Sequence, residues 1–281
     1  MSVSNISLDL PSNDCLLSKL NMMNKSKIQK NLTTIELGKN IFAFDTLEST
    51  NTYSKTLNQT NAPHGTLVIT EEQTGGRGRL NRRWIASAGE NLLFSVILYP
   101  DFDIQKAMLL SFVGALAVTD AIESVTNLSS TCKWPNDILI NGKKVCGILL
   151  ESTVHHSEVG KLILGIGLNV NQTDFPDDLR YKATSLRLES GKEIDRIVLL
   201  QKILEELENR YTELSHFPPS QIINDWKMKA LIFGKKITVL ENEFSFAATA
   251  IDVNEDGSLM VQTEDGSKKN IVAGDVSLSY S

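Results

Sequence analysis

Cysteine is scarce in this chain. Its 281 residues hold three, Cys15, Cys132 and Cys146. They are odd in number and widely spaced, with no CxxC or Cys/His cluster, so neither a disulfide framework nor a zinc site is expected. A reducing, cytoplasmic setting follows, with each thiol a small apolar filler. Positive charge is also short: 28 Lys and Arg stand against 34 Asp and Glu, a net charge of −6. Phosphate backbones demand a basic surface, so a chain-wide nucleic-acid footprint is not expected. A small basic site inside an acidic protein remains open. No stretch is expected to reach the roughly 18 apolar residues of a membrane span. The first twenty residues carry Asp9, Asp14 and Lys19 and no apolar core, which argues against a secretory signal.

Hydrophobic residues make up 41% of the chain, enough for an ordinary core, and the length suits two domains. Residues 1–30 are rich in Ser, Asn, Met and Lys; a short helix near 15–23 is the only element expected there. Regular structure is expected from Thr33. Residues 41–44 read as a strand, 45–48 as a turn, and Ser49-Thr50-Asn51 as helix-capping residues before a helix to about Gln59. Strands are expected at 65–70 and 91–99, with a glycine- and arginine-rich loop at 74–83 between them. Residues 104–125 have helical apolar spacing, with Met108, Leu109, Phe112, Leu116 and Ile122 on one core face. Strands at 131–134 and 137–140 flank Pro135. Asn141-Gly142 is a hairpin signal, with its return strand at 145–151. A strand at 162–170, a helix at 194–214 capped near Asp195, and a helix at 221–230 follow. Beyond Gly234, short strands at 236–240, 246–253, 259–263 and 271–276 suggest a small β-barrel.

Four constellations can carry chemistry. Gly75-Gly76-Arg77-Gly78-Arg79-Leu80-Asn81-Arg82-Arg83-Trp84 sets three glycines and four arginines side by side. Glycines bring backbone N–H groups close to an anion, and arginines grip carboxylate or phosphate in bidentate fashion. The run is neither a Walker A loop nor a dinucleotide fingerprint. A solvated arginine-rich loop and an RNA-binding segment are the competing readings. In Cys132-Lys133-Trp134-Pro135-Asn136-Asp137 a lysine stands in an apolar strand, where it either neutralises a reacting anion or snorkels to the sheet edge. Gly147-Ile148-Leu149-Leu150-Glu151 and Gly165-Ile166-Gly167-Leu168-Asn169 put glycines inside strands. They clear one face for a flat ligand or let a helix pack closely. Ser49-Thr50-Asn51 is either plain capping or part of a site.

Taken in order, and with Gln73 before the loop, these runs resemble the biotin–protein ligase family from about Leu37 to the C-terminus. The resemblance implies an α+β fold. A mixed sheet flanked by helices, as in class II synthetases, would occupy residues 33–232. A small SH3-like β-barrel would occupy 233–281, after an extension over 1–32. It implies formation of biotinyl-adenylate from biotin and ATP, with Mg²⁺, and transfer of biotin to a lysine of a biotin carboxyl carrier domain. Ser49, Thr50, Asn51 and Gln73 would hold the biotin rings, with Gly147 and Gly165 beside them. Arg77, Gly78, Arg79 and Lys133 would meet the biotin carboxylate and the phosphate; Arg77, Arg79 and Lys133 are the residues expected to act in catalysis. Gly76, Arg82, Trp84, Asn136 and Asn169 would surround the nucleotide, and Asp137 would stand near the metal. Many relatives have glycine where Asn81 stands, which implies a slightly stiffer loop. The family also suggests a homodimer through the catalytic sheet edge, which these residues do not themselves show. A lipoate–protein ligase is the rival enzyme. A biotin-responsive repressor is the rival of another class. It would carry an N-terminal winged helix-turn-helix, and no two-helix pattern with a turn is legible before Ser49, so DNA binding is not expected. Nor is a membrane partner.

Overall fold

A computed structural model describes residues 23–155, 158–241, 244–272 and 274–278. The helix expected at 15–23 lies, apart from Met23, outside the described residues. Regular structure begins before Thr33, with helix α1 (Lys25–Gln29) capped by the Asn24 side chain. The larger sheet has seven strands: β1 (Ile41–Leu47), β2 (Thr66–Gln73), β3 (Leu92–Leu98), β4 (Thr131–Lys133), β5 (Asp137–Ile140), β6 (Lys143–His155) and β7 (Glu158–Leu168). Their spatial order is β1-β2-β3-β7-β6-β5-β4. β1 and β2 run parallel and the other neighbours antiparallel. Asn141 and Gly142 both take positive φ, 50° and 78°, the backbone a tight two-residue hairpin needs.

Helix α2 (Thr50–Thr56) contacts β2, β3 and β7, on the face opposite the long helices. The expected helix at 104–125 is two helices, α3 (Ile104–Met108) and α4 (Leu110–Thr126), broken at Leu109. The break turns Met108 outward, 52% exposed, so it does not share the core face with Leu109, Phe112, Leu116 and Ile122. Contrary to expectation, residues 106–126 are long and apolar enough to cross a membrane. That apolarity belongs to a core, because α4 is buried between the sheet and helix α6 (Arg196–His216). Along β7, period-2 alternation separates the faces. Leu164 meets α4 at Gly114, while Gly165 meets Asn51 of α2.

The short helix α5 (Leu186–Ser190) was not expected. The Asp195 carboxylate caps α6 by accepting from the Ile197 and Val198 amides. Asp195→Ala is expected to cost about 1 kcal/mol, read as a lower urea midpoint, with Asp195→Asn close to wild type. Helix α7 (Ser220–Lys229) precedes a separate antiparallel sheet. Its strands are β8 (Lys236–Glu241), β9 (Phe244–Val253), β10 (Leu259–Thr263), β11 (Lys268–Ile271) and β12 (Asp275–Leu278), in the order β11-β10-β9-β8-β12. The single strand expected at 271–276 is two, since Gly274 packs its backbone against the Leu240 carbonyl between them. Among the described residues no ladder joins β11 to β12. The buried Trp134 indole donates to the Gly257 carbonyl at 3.0 Å, tying the two sheets together.

Candidate active site

Several pieces of chain converge on the α2 face of the larger sheet. They include the β1–α2 turn, the loop after β2, the β4–β5 turn, the middle of β6 and β7, the segment 175–183 and the start of β12. Together they line a cavity of about 300 Å³.

At one end the groups are neutral and paired. Ser49 caps α2 with its hydroxyl, as plain capping requires. Thr50 and Asn51 do more. The Thr50 amide donates to Gln73 Oε1 at 2.8 Å. Asn51 Nδ2 donates to Glu151 Oε2 at 2.8 Å and to the Leu149 carbonyl at 3.2 Å. The Ser95 hydroxyl lies 2.7 Å from Thr50 Oγ1 and 2.6 Å from Asn51 Oδ1. Such a network fixes donors and acceptors along one wall, which suits a small polar ring system. Ser95 was not singled out in the sequence, although a hydroxyl in the apolar run Leu92–Leu98 was a visible signal.

The glycines form the floor. Asn51 lies over Gly165, where a Cβ would fall 2.2 Å from its Oδ1. Gly147 and Gly167 pair across β6 and β7, and the Trp84 indole covers both. A Cβ at 167 would sit 2.6 Å from Trp84 Cε2. Gly147 and Gly167 give room to the Trp84 indole at the cavity, whereas Gly165 lets α2 approach the sheet on this face and Gly114 lets α4 approach it on the other.

At the other end the groups are charged. The loop folds back on itself, with the Gly78 amide donating to the Arg82 carbonyl and the Trp84 amide to the Gly76 carbonyl. Leu80, not Asn81, takes the left-handed conformation, at φ 53°. Arg77 pairs with Glu151 and Arg82 with Asp275 of β12. Arg79 Nη1 is buried, 3.9 Å from Asp275 Oδ1, and has no hydrogen-bond partner. Burial lowers the Arg79 pKa, against the pull of Asp275 and Asp137. Arg79 is therefore a desolvated cation short of an acceptor.

Ser49, Thr50, Asn51, Gln73, Arg77, Gly78, Arg79, Arg82, Trp84, Asn136, Asp137, Gly147, Gly165 and Asn169 all line this one cavity. Asn136 Nδ2 donates to the Ile148 carbonyl. Asn169 Nδ2 donates to the Thr184 carbonyl at 3.0 Å, while its buried Oδ1 has no partner. Gly76 lies beneath the loop, where a Cβ would strike the Trp84 carbonyl at 2.6 Å. Lys133 ends β4, half-buried and outside the lining. Two lysines do stand in the lining, Lys182 in the segment after β7 and Lys144 on β6, and Lys144 is the one ion-paired to a carboxylate of the lining. Its ammonium lies 2.6 Å from Asp137 Oδ1 and 5.4 Å from the Trp84 ring centre. A β-bulge brings it there: Ile138 pairs with Cys146 but Leu139 pairs with Lys144, leaving Val145 as an extra residue. One extra residue inverts the alternation and turns Lys144 onto the face of Gly147.

Glu151 links the two ends. Burial would raise its pKa, but hydrogen bonds from Lys55 and Asn51 and the charges of Lys55 and Arg77 prevail and lower it. A depressed carboxylate contributes stability above its unfolded pKa, and that stability is lost as pH falls through its folded value. Wild type is therefore expected to melt above Glu151→Gln at pH 7. The gap should close as pH falls below the ordinary carboxylate value of about 4.3.

The profile of the biotin/lipoate A/B protein ligase family matches residues 43–169, and that of the biotin protein ligase C-terminal domain matches 232–279. The chain is 39% identical over 267 residues to the bifunctional ligase/repressor BirA of Bacillus spizizenii, covering 94% of this chain and 81% of that protein. It is 33% identical over 218 residues to the biotin–[acetyl-CoA-carboxylase] ligase of Mycobacterium tuberculosis, covering 75% of this chain and 78% of that protein. Among solved structures, the biotin protein ligase of Aquifex aeolicus in complex with biotin and ATP aligns with a TM-score of 0.75 at 31% identity. The alignment covers 86% of this chain and all of that one.

Proposed function

We propose an assignment of roles from one premise: the chain belongs to the biotin/lipoate A/B protein ligase family and is a biotin–protein ligase. It joins biotin to ATP as biotinyl-adenylate, then passes the biotin to a lysine of a biotin carboxyl carrier domain. Residues 33–232 form the catalytic unit, 233–281 the SH3-like one, and 1–32 an extension.

The observation that carries the assignment is a single cavity with a neutral hydrogen-bonding end and a cationic end. Ser49, Thr50, Asn51 and Gln73 hold the ring system of biotin, beside the β6–β7 wall at Gly165 and Gly147. A lipoyl ring lacks the ureido group, so it offers this hydrogen-bonding wall no polar partner, and a site built to hydrogen-bond its substrate discriminates against such an analogue. Trp84 offers its indole to the adenine, with Gly76, Arg82, Asn136 and Asn169 about the nucleotide.

Biotin's carboxylate is ionised at neutral pH, so the first step needs no general base. The carboxylate oxygen bonds to the α-phosphorus as the bond to pyrophosphate breaks. Two anions must first be brought together, and Arg77, Arg79 and Lys144 offset their repulsion. Lys144 takes the part that the family resemblance implied for Lys133. Among the described residues no three His, Cys, Asp or Glu side chains gather as a metal cage. Asp137 and Asp275 in the lining suit Mg²⁺ carried in on ATP phosphates, with Asp137 the nearer carboxylate to Lys144. Bound there, Mg²⁺ would neutralise charge on the leaving pyrophosphate. In the second step the carrier lysine loses a proton and its nitrogen attacks the biotinyl carbonyl, releasing AMP. The folded loop keeps water from the anhydride in between.

The test is incorporation of labelled biotin into a carrier domain with ATP and Mg²⁺, run beside labelled lipoate. Biotin incorporation with no lipoate incorporation is expected. Equal use of both would overturn the assignment of the neutral end.

A further inference from the structure

Lys161 lies on β7, outside the cavity. It is only 8% exposed. A buried ammonium is costly unless its protons are satisfied. Here Nζ donates to three backbone carbonyls: Ser54 at 2.8 Å, Lys55 at 2.9 Å and Leu57 at 2.6 Å. The Ser54 and Lys55 carbonyls belong to the last turn of α2, which leaves them without helical partners, the Leu57 carbonyl lies just past it, and an ammonium has three protons to give.

Helix α2 has seven residues, too few to hold its shape alone. Its first turn carries Thr50 and Asn51. β7 therefore grips α2 at both ends from one face of the strand. Gly165 makes room for Asn51, and Lys161, four residues earlier and on the same face by period-2 alternation, holds the last turn. The fit at Gly165 leaves α2 little freedom to slide along β7, since Asn51 touches the strand where any side chain would clash.

We propose that Lys161 is a positioning residue for the biotin end of the site. It fixes the register of α2 on β7, and through Thr50 and Asn51 it sets the fit of the biotin ring system. It touches no substrate. The inference rests on the assignment of that end to biotin.

Lys161→Met keeps the stem and removes the protons, while Lys161→Arg keeps charge and donors. Biotin affinity is read by calorimetry without ATP, and KM and kcat by biotin-dependent pyrophosphate exchange. Ile203→Val, a core change in α6, serves as a control of reduced stability. Lys161→Met is expected to weaken biotin binding about tenfold or more, with the KM for ATP and kcat within about twofold of wild type. Lys161→Arg should restore most of the affinity, and Ile203→Val should leave it unchanged. If Lys161→Met does not fold, Lys161→Gln, which keeps fewer donors, should still show weakened biotin binding. Wild-type biotin affinity in whichever of these two variants folds, or equal rises in both KM values, would overturn the proposal. Failure of the wild-type protein to bind biotin would instead overturn the biotin assignment.

Discussion

Lys144→Ala is expected to slow biotin-dependent exchange of pyrophosphate into ATP by about 10²–10³-fold, and Lys133→Ala to change it by less than about threefold. The difference follows from where the two ammonium groups stand. Lys144 lies in the cavity wall between Asp137 and the Trp84 ring, on the floor side of the arginine loop. Lys133 ends β4 outside that wall. Charge that develops on the phosphoryl centre is best offset by a cation already in place, because no reorganisation is then needed. The loss should fall on kcat, since biotin's rings are held at the other end by Thr50, Asn51 and Gln73. Arg79→Ala should show a loss of the same order. The double variant should lose less than the product of the two, because both groups act on the same pair of anions. Lys144→Arg is not a neutral control: a planar fork beside Trp84 and Asp137 cannot reproduce a point charge.

Gly165→Ala is expected to weaken biotin binding about a hundredfold and to cost about 1–3 kcal/mol of stability. A Cβ at this position would lie 2.2 Å from Asn51 Oδ1 and 2.9 Å from its Cγ. Asn51 would have to leave its place. It would abandon Glu151, the Leu149 carbonyl and the buried Ser95 hydroxyl. Gly114→Ala supplies the contrast. A Cβ there would lie 3.4 Å from Ile148 and Leu164 side chains, a snug contact on the far face of the sheet. Replacing glycine in a helix also gains about 1 kcal/mol of helix propensity. That variant should bind biotin normally and stay close to wild type in stability. Calorimetry with biotin alone and a urea titration of each variant make the comparison.

Much of this was legible from local signals. The Asn141-Gly142 hairpin, the Asp195 cap and the apolar runs of β2, β3 and β7 each depend on neighbours in the chain, and each formed where its residues placed it. The cavity lining was legible for a different reason, since the motif runs had a familiar order. What stayed hidden depended on long-range or irregular geometry. Lys144 escaped notice because the bulge at Val145 inverts the alternation that a strand is read by. Asp275 escaped because it enters the site from another sheet, where it meets Arg82 and stands near Arg79. Met108 looked like core because its spacing suited one continuous helix, and the break at Leu109 faces it to solvent. Lys161 could not be read at all, since its partners are backbone carbonyls.

The central claim is that one cavity brings biotin's carboxylate to the α-phosphate of ATP between the arginine loop and Lys144. Native mass spectrometry of the protein with biotin, ATP and Mg²⁺ tests this most directly. A bound mass equal to one biotinyl-adenylate is required in the wild type, together with its loss in Arg79→Ala and Lys144→Ala variants that still bind biotin. Undiminished adenylate in both variants would contradict the claim.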